Sequence, residues 1–459
     1  MTHPPLIADP TQYTCELPFP AADRIRIYDS TLRDGEQMPG VAFSPQQKLR
    51  LACELSQIGC HVLDIGFPIV SDTEHQAVEM ILRARRTGAL PREVEIVLMS
   101  RCVEDDITRT VKCVEDSGCD PADVTLLLFT SASPLHCRYK LGPMLMARAG
   151  LPASELADVP FECLHDINRQ LVADSVQLAR DLGVQVEFGA EDASRTEIVP
   201  LIELVRAAID AGATRYVFAD TTGCLTPEAT RLYCSALAQA LPGVELATHF
   251  HNDFDLATIN TITALQCGFT VCSTTANGIG ERAGNAPMHA VVVALRFLYG
   301  IELPGFRYDR LNALRKLVED FSGVPVQCHE PVIGRNAFAH ESGIHVHGVS
   351  KNRLLYEAVP LERVGGVPRR VFGKHSGLSG VLTLLREHQS RIPVPVTREL
   401  AEAVVAEVKR QRQARISEAG HAESMREYYD RLDRLGLSED EVIDCALRCL
   451  REVASTRGA

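Results

Sequence analysis

The most chemically suggestive residues of the chain are His249 and His251, separated by Phe250 and followed by Asn252 and Asp253. In an extended segment side chains alternate, so both imidazoles and Asp253 project to one face and Phe250 and Asn252 to the other. Two imidazoles about 7 Å apart along a strand can share one cation. A lone His-x-His is more often structural, so the pair gains meaning only from what the fold brings beside it.

Those neighbours depend on the elements. From residue 23 to 300 short apolar runs alternate with amphipathic stretches. The runs are residues 24–34, 61–67, 95–100, 123–131, 184–192, 215–222, 245–253 and 269–278. Between them lie helical patterns such as PQQKLRLACELSQIG, which opens with Ser44 as N-cap and Pro45 in the first turn. Eight strands alternating with helices predict an α/β chain, a (β/α)8 TIM barrel with C-terminal α+β and helical subdomains. A doubly wound sheet is the competitor, weakened because no Gly-x-Gly-x-x-Gly follows the first strand.

Polar residues gather at the strand C-termini, where a barrel builds its site: Arg33 and Asp34, Glu191 and Asp192, Thr221 and Thr222, His249 and His251. Strands one, seven and eight adjoin in a closed barrel, so Asp34 falls near both imidazoles. One carboxylate, two imidazoles and open positions suit a divalent ion such as Mg²⁺, Mn²⁺ or Zn²⁺. Asn285, in GIGERAGNAP, could add a carbonyl oxygen. Gly278, Gly280 and Gly284 read as permitting a tight loop beside the ligands. The stretch from Ser131 to Pro160 is long for a connection at the rim, and reads as a lid, a partner contact or a loose insertion.

The expected divisions are an N-terminal arm (1–22), the barrel (23–300), a helical connector (301–330), a Gly- and His-rich subdomain (331–395) and a helical C-terminal region (396–459). The 459 residues are 46% hydrophobic and 23% charged, with a formal charge of −13. That is a soluble enzyme's composition; no basic stripe suits a nucleic acid and no apolar run suits a membrane. Fifteen cysteines without a Cys-x-x-Cys pair point to mostly buried thiols in a reducing cytoplasm. No signal peptide is expected at the N-terminus.

Several motifs together resemble one enzyme family. DSTLRDGEQMPGVAFSP (29–45), GFPIVS (66–71), GAEDASRT (189–196), HFHND (249–253), NGIGERAGNAP (277–287) and HESGIHVHG (340–348) are similar, in order, to the 2-isopropylmalate, homocitrate and citramalate synthases. The resemblance implies an acyltransferase that condenses acetyl-CoA with a 2-oxo acid and then hydrolyses the thioester. By it Asp34, His249 and His251 hold the metal, with Asn285 a weaker ligand. Arg33 lies over the 2-oxo acid and stabilises developing alkoxide charge, Thr222 binds its carboxylate, and Glu191 helps orient the site. His345 becomes the base for acetyl-CoA, donated across a homodimer interface with Tyr356 nearby. His136 matches a position near substrate or CoA. His340, His347 and His375 read as structural or rim residues.

Three other functions remain in view: the same chemistry on an acidic 2-oxo acid (a carboxylate or phosphonate side chain), a hydroxyacyl-CoA lyase of the same superfamily, and a non-catalytic metal-binding barrel. The lyases end before any HESGIH segment and carry a cysteine in the glycine loop. The region after 395 is short for the allosteric domain of many isopropylmalate synthases, so leucine feedback is not expected.

Overall fold

The computed structural model describes residues 14, 16–414, 418–437, 440–442, 444 and 445. Most of the expected arm (1–22) and the end of the C-terminal region lie outside them. Eight parallel strands close into a barrel: β1 (Arg26–Asp29), β2 (Val62–Asp64), β3 (Glu95–Arg101), β4 (Val124–Ser131), β5 (Gln185–Glu191), β6 (Arg215–Asp220), β7 (Glu245–Phe250) and β8 (Val271–Thr274). Closure is the pairing of β1 with β8, Arg26 beside Val271 through Asp29 beside Thr274. Each strand falls on an expected run, β3 extending one residue beyond its run to Arg101.

The chain divides into two compact units, one built on Ala42–Tyr308 and one on the described residues from Ser322 onward. The second holds the helices Gly343–Lys351, Leu378–Glu387, Arg398–Ala414 and Glu418–Asp433, and a two-stranded pairing of Ala339–His340 with Arg369–Arg370.

Local chemistry explains the helices. Ser44 and Gln47 form a reciprocal capping box, Pro45 sets the first turn, and Gly59 closes Pro45–Ile58 at φ 109°. The segment after β4 is not a loose loop. It forms the helices Pro134–Tyr139 and Gly142–Arg148 and the 3₁₀ turn Ala153–Asp158. Arg138 ties it down by donating to the carbonyls of Leu156, Ala157 and Val159 at 2.6–3.0 Å.

Inside the barrel, alternation stacks side chains in layers. Tyr28, Val62, Val97, Leu127, Val217, Ala247 and Val271 make a buried apolar middle. Two residues earlier, at the strand starts, Arg26, Glu95, Arg215 and Glu245 are charged, and Glu187 of β5 joins them. The Arg215 guanidinium reaches Glu245 (2.5 Å), Glu187 (2.5 Å) and Glu95 (2.7 Å), and Arg26 reaches Glu95 (2.6 Å). Two residues after the apolar layer come Met99, Phe129, Gly189, Ala219 and His249 at the opposite mouth.

The charged layer has two guanidiniums for three carboxylates, so one carboxylate is in excess. Burial opposes ionisation of Glu95, but Arg215 and Arg26 hold its carboxyl down to about 2. Glu187 is fully buried, and burial pushes it up to about 7 against the pull of Arg215. Glu187 is therefore the carboxylate of the cluster that takes up a proton most readily.

Two outcomes follow. Arg215→Met leaves three carboxylates facing one guanidinium and lowers the unfolding free energy by roughly 3–5 kcal/mol in urea titrations; unchanged stability would show that the cluster contributes nothing. A raised folded pKa stabilises below the unfolded value, and that stabilisation is lost as pH rises through about 7. Stability should thus fall between about pH 5 and 8, and Glu187→Gln should flatten that slope.

Candidate metal and substrate site

The first strand runs into a turn that puts Asp34 over the barrel mouth, 2% exposed. Arg33 Nη1 donates to Asp34 Oδ2 at 2.6 Å and Asn285 Nδ2 donates to Oδ1 at 2.9 Å. His249 Nε2 stands 3.3 Å from Oδ2. Burial works against the charge, yet Arg33 and His249 hold the Asp34 carboxyl well below the usual carboxylate range.

His249 ends in the top layer of β7, its Nδ1 fixed 3.3 Å from Ser273 Oγ on β8. The partner's orienting of one nitrogen leaves the other aimed at Asp34. The His251 ring lies 5.0 Å from that of His249 at 87°, closer than an extended strand alone would put it. β7 ends at Phe250, and His251 instead bridges to Asn285. Burial, with help from His249, pushes His251 down to about 4, so at neutral pH it is an uncharged donor. Its Nδ1 is buried without a hydrogen-bond partner.

Asp34, His249 and His251 each offer a donor atom within 4.8 Å of the others. A carboxylate, two imidazoles and an orphaned buried nitrogen fit a divalent cation. Asn285 Oδ1 is also buried and unpartnered. Gly280 is required here: a Cβ would lie 2.2 Å from Asn285 Nδ2 and 3.1 Å from Asp34 Oδ1.

Beside this trio opens a cavity of about 290 Å³, with Arg33, Glu191, Thr221 and Arg282 on its polar walls and Met99, Leu127, Phe129 and Val217 on its apolar side. Arg33 is clamped, because its Nε donates to Asp64 Oδ2 at 2.7 Å and Asp64 also accepts from Ser30 Oγ at 2.9 Å. Glu191 accepts from Ser131 Oγ at 2.5 Å and from Lys140 Nζ at 2.5 and 2.7 Å.

Several expected residues take other positions. Asp253 does not join the imidazoles; the chain turns after β7, and its carboxylate pairs with Arg282 at 2.8–2.9 Å. Thr221, not Thr222, lines the cavity, and the buried Thr222 hydroxyl has no partner. His136 sits behind Glu191, its Nδ1 3.2 Å from Ser131 Oγ and its Nε2 3.6 Å from Asp192. His345 and Tyr356 belong to the second unit, with ring centroids 4.2 Å apart. There His340 Nε2 is 3.5 Å from the buried Glu357, and His347 Nδ1 is 2.8 Å from Ser379 Oγ. Asp64, Ser131, Ser273 and Lys140 were not anticipated. Asp64 ends its strand at the same rim of the barrel, and that position was its signal.

Comparison with known proteins gives the family. Residues 24–318 match the HMGL-like family model, and residues 332–415 match the homocitrate synthase post-HMGL domain-like model. A homocitrate synthase of Methanocaldococcus jannaschii is 37% identical over 84% of this chain and 86% of its own. The chain belongs to the HMGL-like homocitrate and 2-isopropylmalate synthase family. Another member, the 2-isopropylmalate synthase of Sulfolobus acidocaldarius, is 38% identical over 79% of this chain and 86% of its own. The family's barrel fold extends to an HMG-CoA lyase of Bacillus subtilis, with a TM-score of 0.53 and 20% identity over 68% of this chain and 97% of that one.

Calorimetric titration with Mn²⁺ tests the trio. The unaltered chain should bind, and His251→Ala and Asp34→Asn should each abolish binding while far-UV circular dichroism stays unchanged. Binding retained in both variants would place the cation elsewhere.

Proposed function

We propose that the protein is an acyltransferase that joins the acetyl methyl carbon of acetyl-CoA to the ketone carbon of a 2-oxo acid and then hydrolyses the thioester. The observation that carries this reading is the Asp34–His249–His251 trio beside a clamped Arg33 in one cavity. Family membership supports it, since similar relatives carry the names homocitrate synthase and 2-isopropylmalate synthase. The match over 332–415 to a homocitrate synthase domain favours a synthase over a lyase, and the intact polar site favours an enzyme over a non-catalytic barrel.

A bound Mg²⁺, Mn²⁺ or Zn²⁺ would supply Lewis-acid polarisation of the ketone. The chain's own groups do the rest. Arg33, fixed by Asp64, presents guanidinium N–H groups where negative charge develops on the ketone oxygen. Glu191, held by Ser131 and Lys140, orients the cavity wall, and Thr221 on that wall offers its hydroxyl to the substrate carboxylate. His345, with Tyr356 against its ring, takes a proton from the weakly acidic acetyl methyl group. Water then attacks the thioester carbonyl, the C–S bond breaks, and CoA leaves as its thiol.

On this reading residues 331–395 serve the active site of a partner subunit, which requires a homodimer. The free thiols of the described cysteines support a cytoplasmic setting, although only six of the thirteen are fully buried, fewer than expected. Identities of 37% and 38% to two differently named synthases leave the side chain of the 2-oxo acid to the cavity itself. Its apolar side suits an aliphatic group. Lys140, half exposed and paired with Glu191, is a cation that an anionic side chain could take over, which favours an acidic 2-oxo acid as the second reading.

The test is CoA thiol release with acetyl-CoA and a panel of aliphatic, carboxylate and phosphonate 2-oxo acids. Release should require one of them, stop on chelation, and resume with a divalent ion. His345→Ala should lower kcat by at least about a hundredfold, the span of a lost general base, with Mn²⁺ binding intact. Full activity after exhaustive chelation would sink the proposal.

A further inference from the structure

A second cavity, about 250 Å³, opens on the outside of the barrel between the helices Phe161–Asp181 and Ile198–Asp210. Glu162, His165 and Asp166 occupy positions i, i+3 and i+4 of the first helix and so share one face. Glu197, just before the second helix, and Glu203 within it complete the wall. Four carboxylates thus face one space. The cation paired with any of them among the described residues is Arg169, 3.2 Å from Asp166.

An acidic wall alone is ordinary, and His165 sets this one apart. It is 5% exposed, lines the cavity, and has no hydrogen-bond partner on either ring nitrogen. Glu203 Oε2 stands 3.6 Å from its Nε2, beyond a hydrogen bond. Burial, reinforced by Arg169, lowers its pKa below the ordinary histidine value, so at neutral pH the ring is uncharged and offers a lone pair. A buried polar group without a partner costs roughly 1–3 kcal/mol, a cost that a ligand with N–H donors would remove.

The shape of the space selects the ligand. A bare metal ion needs three or more donors converging within a few ångströms. Among the described residues the set whose donors lie within 4.8 Å of one another is Asp34, His249 and His251, and the outer carboxylates do not converge in that way. The volume is instead that of roughly eight water molecules, and Phe161, Pro134 and Pro200 give it an apolar side. The Phe161 ring lies 5.5 Å from that of His165, so an aromatic face and an accepting nitrogen stand together.

We propose that this cavity binds a small organic cation, an ammonium or guanidinium group on a short apolar stem. The charged head lies among Glu162, Asp166, Glu197 and Glu203 and donates to His165; the stem packs on Phe161 and the two prolines. The site is separate from the barrel mouth and does not depend on the proposed condensation. Its wall includes Pro134, the first residue of the helix that carries His136 and leads to Lys140.

The test is calorimetry of the full chain with n-butylguanidinium chloride, with n-butylammonium and sodium butyrate as companions. Both cations should bind saturably at one per chain and butyrate should not. Glu203→Gln and Glu162→Gln, at partly or fully exposed positions, should each weaken binding by about tenfold or more, whereas Asp34→Asn in the barrel mouth should leave it unchanged. Absence of saturable binding, binding by both glutamine variants as tight as by the unaltered chain, or loss with Asp34→Asn alone would overturn the proposal.

Discussion

The site hangs on one buried carboxylate. Asp34 is almost free of solvent yet stays ionised, because Arg33, His249 and Asn285 all turn hydrogens or positive charge toward it. An isolated buried carboxylate would take up a proton instead. Its partners come from the ends of three regions of the chain: the turn after β1, the end of β7 and the loop after β8. These meet because β1 pairs with β8 and closes the barrel. Without that closure the carboxylate would be 215 residues from His249 in sequence, with neither His249 nor Asn285 beside it.

The same alternation that builds the barrel separates its chemistries. Successive inward positions of one strand serve stability, packing and reaction in turn: Glu245, Ala247 and His249 on β7, or Arg215, Val217 and Ala219 on β6. The apolar middle keeps the charged base and the polar mouth apart, so each can carry its own protonation state. At the base, two guanidiniums lock strands β1, β3, β5, β6 and β7 together at the end away from substrate. At the mouth, the cations Arg33 and Lys140 are held by carboxylates that also line or border the cavity.

The segment after β4 connects this mouth to the outer surface. Arg138 of its first helix is fastened to the carbonyls of Leu156, Ala157 and Val159, and His136 and Lys140 reach the Ser131–Glu191 pair. Pro134, at its start, borders the outer acidic cavity. One short segment thus backs the Glu191 wall of the substrate cavity and borders the proposed cation site.

Strand number, strand order and the gathering of Asp34, His249 and His251 at the C-terminal rim of the barrel were legible in the sequence, because they follow from a period of two and from closure of eight βα units. Asn285 was placed beside Asp34 for the same reason, and Ser44 and Pro45 announced their helix by cap chemistry alone. Other features required the tertiary structure. Whether Asp253 joins the histidines depends on where β7 stops and on Arg282 arriving from a loop about thirty residues away. That Thr221 rather than Thr222 faces the cavity turns on the backbone direction at one turn. The grip of Asp64 on Arg33, of Ser131 and Lys140 on Glu191, and the five charged residues at the base are long-range pairings of common residue types. Sequence carries the periodicities that local sterics impose, and only the folded chain decides which distant charges meet.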